Sequence, residues 1–186
     1  MGPPAFSAEK WFASRGWTPH AFQREAWTRF RNGESGLIHV PTGSGKTYAA
    51  YLAALEEIVA GRPRGAAVIY VSPLRAVARD IELALRSPVE ECGLAVTVGS
   101  RTGDTDARER ARQREMLPNV LVTTPESLTL LVASERVEET LGGVRAVIVD
   151  KDNDPKWNPA NAEGVSEELL DAIFAPLPPQ EEWKPL

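Results

Sequence analysis

The 186-residue sequence predicts a three-layer α/β sandwich on a mainly parallel sheet. Three observations lead there. Short β-branched runs alternate with helix-length segments from residue 36 onward, the runs are almost continuously apolar, and a glycine-rich loop follows the first of them. Unbroken apolar runs belong to strands covered on both faces, and strand–helix alternation supplies right-handed crossovers between parallel neighbours. The predicted strands are residues 36–40 (GLIHV), 66–71 (AAVIYV), 94–98 (LAVTV), 120–123 (VLVT) and 144–149 (VRAVIV), with Arg145 the one charged exception at a strand start. Ahead of them, Thr18 is placed to cap a helix with Pro19 in its first turn and Gly33 at its end. Between them, helices are expected over 46–60, 75–87, 104–116 and 125–133; Gly61 and Pro63 stop the first and Pro118 the third. The charge-dense stretch Arg108 to Glu115 reads as a solvated helix face.

Composition excludes several classes. With 42% hydrophobic and 25% charged residues the chain is not collagen-like, a coiled coil or wholly disordered. No apolar run approaches the ~20 residues of a membrane span. The N-terminus has no charged region followed by an apolar stretch, and Phe6 stands where a myristoylation signal needs Ser or Thr, so a cytoplasmic protein is expected. The single Cys92 forms no internal disulfide and no thiolate metal site. The formal charge of −5 lies entirely in the tail: residues 1–150 hold 18 basic and 18 acidic side chains, residues 151–186 hold 3 and 8. Six of the 15 prolines also fall in those last residues, which places a boundary near Asp150 between 1–150 and an acidic, Pro-rich 151–186.

The strongest chemical signal is Pro41-Thr-Gly-Ser-Gly-Lys-Thr47, directly after a predicted strand and opening a predicted helix. Gly43 and Gly45 let the backbone approach phosphate oxygens, and the helix adds its positive N-terminal end. Thr42 and Ser44 complete the loop, Lys46 supplies a cation for β- and γ-phosphates, and the Thr47 hydroxyl can ligate Mg²⁺. ATP with Mg²⁺ is the expected ligand. The strict pattern wants glycine where Val40 stands, and a glycine-rich turn before an ordinary helix is the bland alternative.

With this loop the chain resembles superfamily 2 nucleic-acid helicases of the large helicase-related, ligase-associated DExH group, whose loop also runs PTGSGKT. Ser72-Pro-Leu-Arg-Ala-Val-Ala78 resembles motif Ia, Arg101-Thr-Gly-Asp-Thr105 the loop that follows, and Thr123-Thr-Pro-Glu-Ser-Leu128 motif Ib; Gly16 to Gln23 resembles the segment whose glutamine reads adenine. The resemblance spans about residues 5–150 and implies a partial RecA-like ATP-binding domain. It places Gln23 with the nucleotide and Ser72, Pro73, Arg75, Arg101, Thr123 and Thr124 on single-stranded or duplex DNA, RNA remaining open. It also implies a parent protein associated with DNA ligase or nuclease. Each arginine alone could equally sit in a surface salt bridge, and Trp11, Trp17, Phe22 and Trp27 could be core of the N-terminal helices rather than a base pocket.

The family strand ending at Asp150 continues as Glu-x-His, its Asp holding Mg²⁺ and its Glu activating water. Here the sequence is Asp150-Lys-Asp-Asn153. Asp150 keeps the assignment as magnesium partner and catalytic residue beside Lys46, but Lys151 replaces the base, and a protonated lysine accepts no proton. Relatives also place one more core strand between the phosphate-loop strand and the Asp150 strand, followed by a second motor domain; neither fits in 36 residues. Nucleotide binding with impaired hydrolysis is therefore expected, against the alternatives of a non-hydrolysing binding module or an inactive fusion product. The tail, from Gly143 to Ala160 with a short acidic helix near Ser166 to Phe174, resembles the C-terminus of 3-hydroxyisobutyryl-CoA hydrolases of the enoyl-CoA hydratase family, which implies a joint within Val144 to Asp150.

Overall fold

The computed structural model describes residues 6–61, 63–134 and 141–149. They form helices α1 (Ala8–Ser14), α2 (Ala21–Arg31), α3 (Lys46–Gly61), α4 (Arg75–Glu91), α5 (Ala107–Glu115) and α6 (Pro125–Val132) with strands β1 (Val68–Val71), β2 (Val98–Arg101), β3 (Val120–Thr123) and β4 (Ala146–Val149). The four strands make one parallel sheet in the order β2-β3-β1-β4, with Val68 opposite both Val120 and Ala146. Strand alternation sends Val68, Tyr70, Val120 and Val122 to one face, where they pack with Leu52 and Leu55 of α3, Leu85 of α4 and Trp11, Phe12 and Trp27 of the N-terminal helices. Leu121 points to the other face with Leu117 and Leu131 of α6. This is the expected α/β sandwich, with one layer much heavier than the other.

The N-terminal tryptophans divide. Trp11 and Trp27 are core, whereas Trp17 is 42% exposed and Phe22 half-buried against His20. Helix α2 starts at Ala21 rather than behind Thr18 because the Gln23 side chain accepts the His20 N–H at 2.8 Å, making His20 the cap. Helix α4 runs past Pro88 to Glu91, beyond the predicted end at 87. Its last turn is held from outside: Glu91 accepts from Trp11 Nε1 at 2.8 Å and from the Arg15 guanidinium. Hydrogen bonds from Arg15, then Ser87 and Trp11, take the Glu91 carboxyl from 4.5 down to about 2. A carboxyl depressed in the folded state stabilises fully above its unfolded value and loses that contribution as pH falls toward the folded one. The Tm difference between wild type and Glu91→Gln should therefore be constant above pH 4.5 and shrink from there toward pH 2; thermal melts across that range check it, and a difference independent of pH contradicts it.

Two predicted strands are corrected. The run 94–98 gives way to β2 at 98–101, because the Leu94 N–H bonds Val89 O at 2.9 Å in closing α4, and Thr97 is tied to the Asn119 side chain at 3.0 Å. Residues 36–40 form no strand. A strand needs a neighbour for its N–H and C=O groups, and among the described residues the sheet holds β2, β3, β1 and β4 with no ladder to 36–40. Exposure still alternates along the segment, with Leu37 at 84% and Ile38 half-buried, as in a strand covered on one face.

The two sheet edges are built differently. On β2, Thr97 O accepts from Val120 N, so the carbonyls of Val98 and Ser100 point away from β3. Arg86 donates to Val98 O at 2.8 Å and Gln113 to Ser100 O at 3.0 Å, which closes that edge to other strands. On β4 the sequence is Ala-Val-Ile-Val without a charge, and Val147 and Val149 are each 57% exposed. An apolar edge of that kind pairs with other chains. Wild-type protein should self-associate with rising concentration in sedimentation velocity and Val147→Lys should do so less; identical profiles would contradict this.

Candidate nucleotide and nucleic-acid site

The phosphate loop turns on two glycines in the left-handed region, Gly43 at φ 82° and Gly45 at φ 86°. A side chain at position 45 is excluded twice, by that backbone and because its Cβ would lie 2.6 Å from Gln23 Nε2. Gln23 is 2% exposed and spans the gap between elements: its Oε1 accepts the His20 N–H, and its Nε2 donates to Gly45 O at 3.1 Å. The glutamine thus ties the start of α2 to the loop. Lys46 opens α3 and its ammonium reaches back across the loop to Val40 O at 3.1 Å, while Ser44 Oγ donates to Pro41 O. Thr47 follows, half-buried, and Thr42 is exposed on the turn. The first N–H groups of a helix have no intrahelical acceptor, so the start of α3 offers donors in the same place as the lysine. Two left-handed glycines, a cation and a helix N-terminus are a donor set that fits a polyphosphate.

The other predicted residues converge at the carboxyl edge of the parallel sheet. Ser72, just past β1, donates its N–H to Thr123 O at 2.9 Å, and Thr123 Oγ1 donates to Arg101 O at 2.7 Å. The ends of β1, β3 and β2 are stitched together in that order. Arg75 lies over Gly103, where a Cβ would meet its guanidinium carbon at 2.8 Å, and faces Asp104 at 3.9 Å. The hydroxyls assigned to phosphate are differently placed: Thr123 and Thr124 are 0% and 1% exposed, and Thr124 Oγ1 caps α6 by accepting Ser127 N–H. Their side chains hold the edge together, and Pro73 and Arg75 are the exposed members of the set. Asp150, Lys151 and the whole 151–186 segment lie outside the described residues.

Glu126 was not singled out in the sequence. It sits in the first turn of α6, and bonds from its own N–H and from Thr124, with Arg75 nearby, hold its carboxyl below the ordinary range. An acidic residue at a helix start was the available signal. Arg101 is shifted the other way, its pKa lowered by burial and then by the charges of Arg110 and Arg114.

Residues 20–151 match the DEAD/DEAH box helicase family. The chain belongs to that family. Among individual relatives of this helicase chain, the Lhr helicase/probable uracil glycosylase of Mycolicibacterium smegmatis is 43% identical over 161 residues, covering 78% of the chain. The Lhr helicase/uracil glycosylase of Escherichia coli is 35% identical over 92% of the chain. The chain spans only 11% and 12% of those two proteins. The structure of Mycobacterium smegmatis helicase Lhr bound to ssDNA and AMP-PNP superposes with a TM-score of 0.68 at 42% identity, covering 79% of this chain and 20% of that one. A structure of the RNA helicase Prp28 from Chaetomium thermophilum shares the fold, at 24% identity and a TM-score of 0.61. The chain is thus a helicase motor-domain fragment homologous to the Lhr-family ATP-dependent helicases. Among the described residues no helix is long and apolar enough to cross a membrane.

Proposed function

We propose that this chain binds Mg-ATP at Pro41 to Thr47 and single-stranded DNA across the carboxyl edge of the sheet, in the cytoplasm, and hydrolyses ATP poorly or not at all. The observation that carries it is the loop itself, with Lys46 and the start of α3 aimed into a turn that Gln23 fastens to α2. Lys46 exchanges its bond to Val40 O for phosphate oxygens, and the loop N–H groups orient them. Magnesium, when bound, neutralises phosphate charge, and Thr47 with Asp150 are the residues to hold it. Gln23 positions the loop, and the resemblance makes it the residue to meet the adenine. DNA is favoured over RNA because the relative that binds ssDNA is the one at 42% identity.

Hydrolysis is impaired because Lys151 stands in the place of the general base, a loss worth about 10²–10⁴ in rate. The test is to measure Mg-ATP binding, oligothymidylate binding and ATP turnover on the same preparation. Binding of both ligands without turnover supports the proposal; turnover abolished by Lys46→Ala overturns the impaired-hydrolysis part, and no nucleotide binding overturns the whole.

For residues 151–186 we propose a separate origin, on the hydrolase-like sequence and the shift in charge and proline near Asp150. A second reading, a divergent helicase tail, is favoured by one observation: the Escherichia coli relative aligns with 92% of the chain, which reaches beyond residue 150. Sequencing the encoding DNA across codons 140–155 from independent material separates the two, since a joint absent from that material is an artificial fusion and a native context shared by relatives removes the proposal.

A further inference from the structure

We propose that Trp27 is a positioning residue for the nucleotide, acting through its indole N–H: with Gln23 it fixes the rotation of α3 about its own axis, and so the directions in which Lys46 and Thr47 leave that helix. This rests on the nucleotide-binding part of the function proposed above. Trp27 is 1% exposed in the core that the N-terminal helices share with α3 and α4, and its ring serves that packing. The N–H adds nothing to apolar packing and, being buried, needs an acceptor. Its acceptor is Tyr48 O at 3.0 Å, in the first turn of α3 and two residues past Lys46.

Residues 23 and 27 are four apart and share one face of α2. Gln23 Nε2 donates to Gly45 O at 3.1 Å and Trp27 Nε1 to Tyr48 O, so one turn of α2 grips one turn of chain at the start of α3 by both ends. Both side chains are 2% exposed or less, and water does not compete for either carbonyl. Gly45 O also takes the Ala49 N–H at 3.1 Å, and its second lone pair serves the side-chain donor. A single grip holds the helix end in place but lets it roll; two grips one turn apart stop the roll. Lys46 and Thr47 lie between the gripped residues, about 100° apart around the axis, so a roll of α3 swings both away from one polyphosphate. The Tyr48 ring is itself packed edge-on by Trp11 at 5.0 Å and Phe12 at 6.2 Å, which keeps this turn against the indole. Without the N–H the competent rotation loses the worth of one hydrogen bond, which lowers its population and raises the apparent Kd about 2- to 10-fold.

The experiment is calorimetric titration of Mg-AMP-PNP, with a thermal melt of each protein, on the full chain and three variants. Trp27→Phe removes the donor and part of the ring. Replacing Trp27 by β-(3-benzothienyl)alanine, in which sulfur stands for the indole N–H, removes the donor and keeps the shape, so it reads the hydrogen bond even where Trp27→Phe folds poorly. Leu85→Val thins the same core from α4 and serves as the packing control. Both Trp27 variants should raise Kd about 2- to 10-fold, the benzothienyl form while melting within about 4 °C of wild type. Leu85→Val should melt lower and bind as wild type. A benzothienyl variant with wild-type Kd overturns the positioning role alone and leaves Trp27 as packing. A Kd raised as much by Leu85→Val also overturns it, because general loosening of the core then explains the effect. A wild type that melts cooperatively and does not bind Mg-AMP-PNP overturns the role together with the nucleotide part of the proposed function.

Discussion

Trp27→Ala should cost about 3–5 kcal/mol of stability, the range for removing a large buried aromatic side chain. Domains of this size are stable by only about 5–15 kcal/mol in total, so the loss is a large fraction. Trp27 is 1% exposed, packs edge-on to Phe12 at 5.6 Å and donates its Nε1–H to Tyr48 O at 3.0 Å. It joins three helices: α1 through Phe12, its own α2, and the first turn of α3. Two terms are therefore lost together, the apolar contact and the partner of a backbone carbonyl. At roughly 2–4 °C per kcal/mol the expected fall in Tm is about 6–20 °C. Trp27→Phe keeps most of the volume and should lose much less. A melt in which Trp27→Ala is within a degree or two of wild type would show that α2 is not integral to the core.

Lys46→Ala should abolish stabilisation by Mg-ATP while leaving the Tm of the free chain nearly unchanged. A ligand present at 100 times its Kd stabilises by about 2.7 kcal/mol, which is about 5–10 °C for a chain of this length. The lysine is half-buried and its one bond is to Val40 O, on a segment that pairs with no strand, so removing it leaves the core intact. Wild type and variant should then melt together without nucleotide and apart with it. A ligand shift that survives Lys46→Ala would move the binding site away from the loop.

The residues that pack on both faces were the legible ones. β3 falls on 120–123 as expected, and β1, α3 and α6 within two residues, because apolar runs and glycine or proline stops act locally. Misplaced elements depend on distant partners. β2 slides to 98–101 because Asn119, 22 residues away, takes the N–H of Thr97. Residues 36–40 look like a strand because they are apolar, but a ladder needs a neighbour that local pattern does not supply. The loop's turn at Gly43 and Gly45 and the start of α3 at Lys46 were legible, since the pattern lies in seven consecutive residues. Gln23 was expected with the nucleotide, but the sequence did not show that both ends of its amide are engaged, one at Gly45 O and one at His20 N–H. The roles of Thr123 and Thr124 were least legible, because a hydroxyl at a strand end serves a phosphate or a helix cap equally well until the fold turns it inward.

The central claim is that the loop is a working nucleotide site on a helicase-derived fold. Calorimetric titration of Mg-AMP-PNP into the full chain tests it most directly. The account predicts a saturable one-site isotherm that disappears in Lys46→Ala. A flat isotherm from wild-type protein that melts cooperatively would contradict it, because the fold would then be present and its loop unable to hold a polyphosphate.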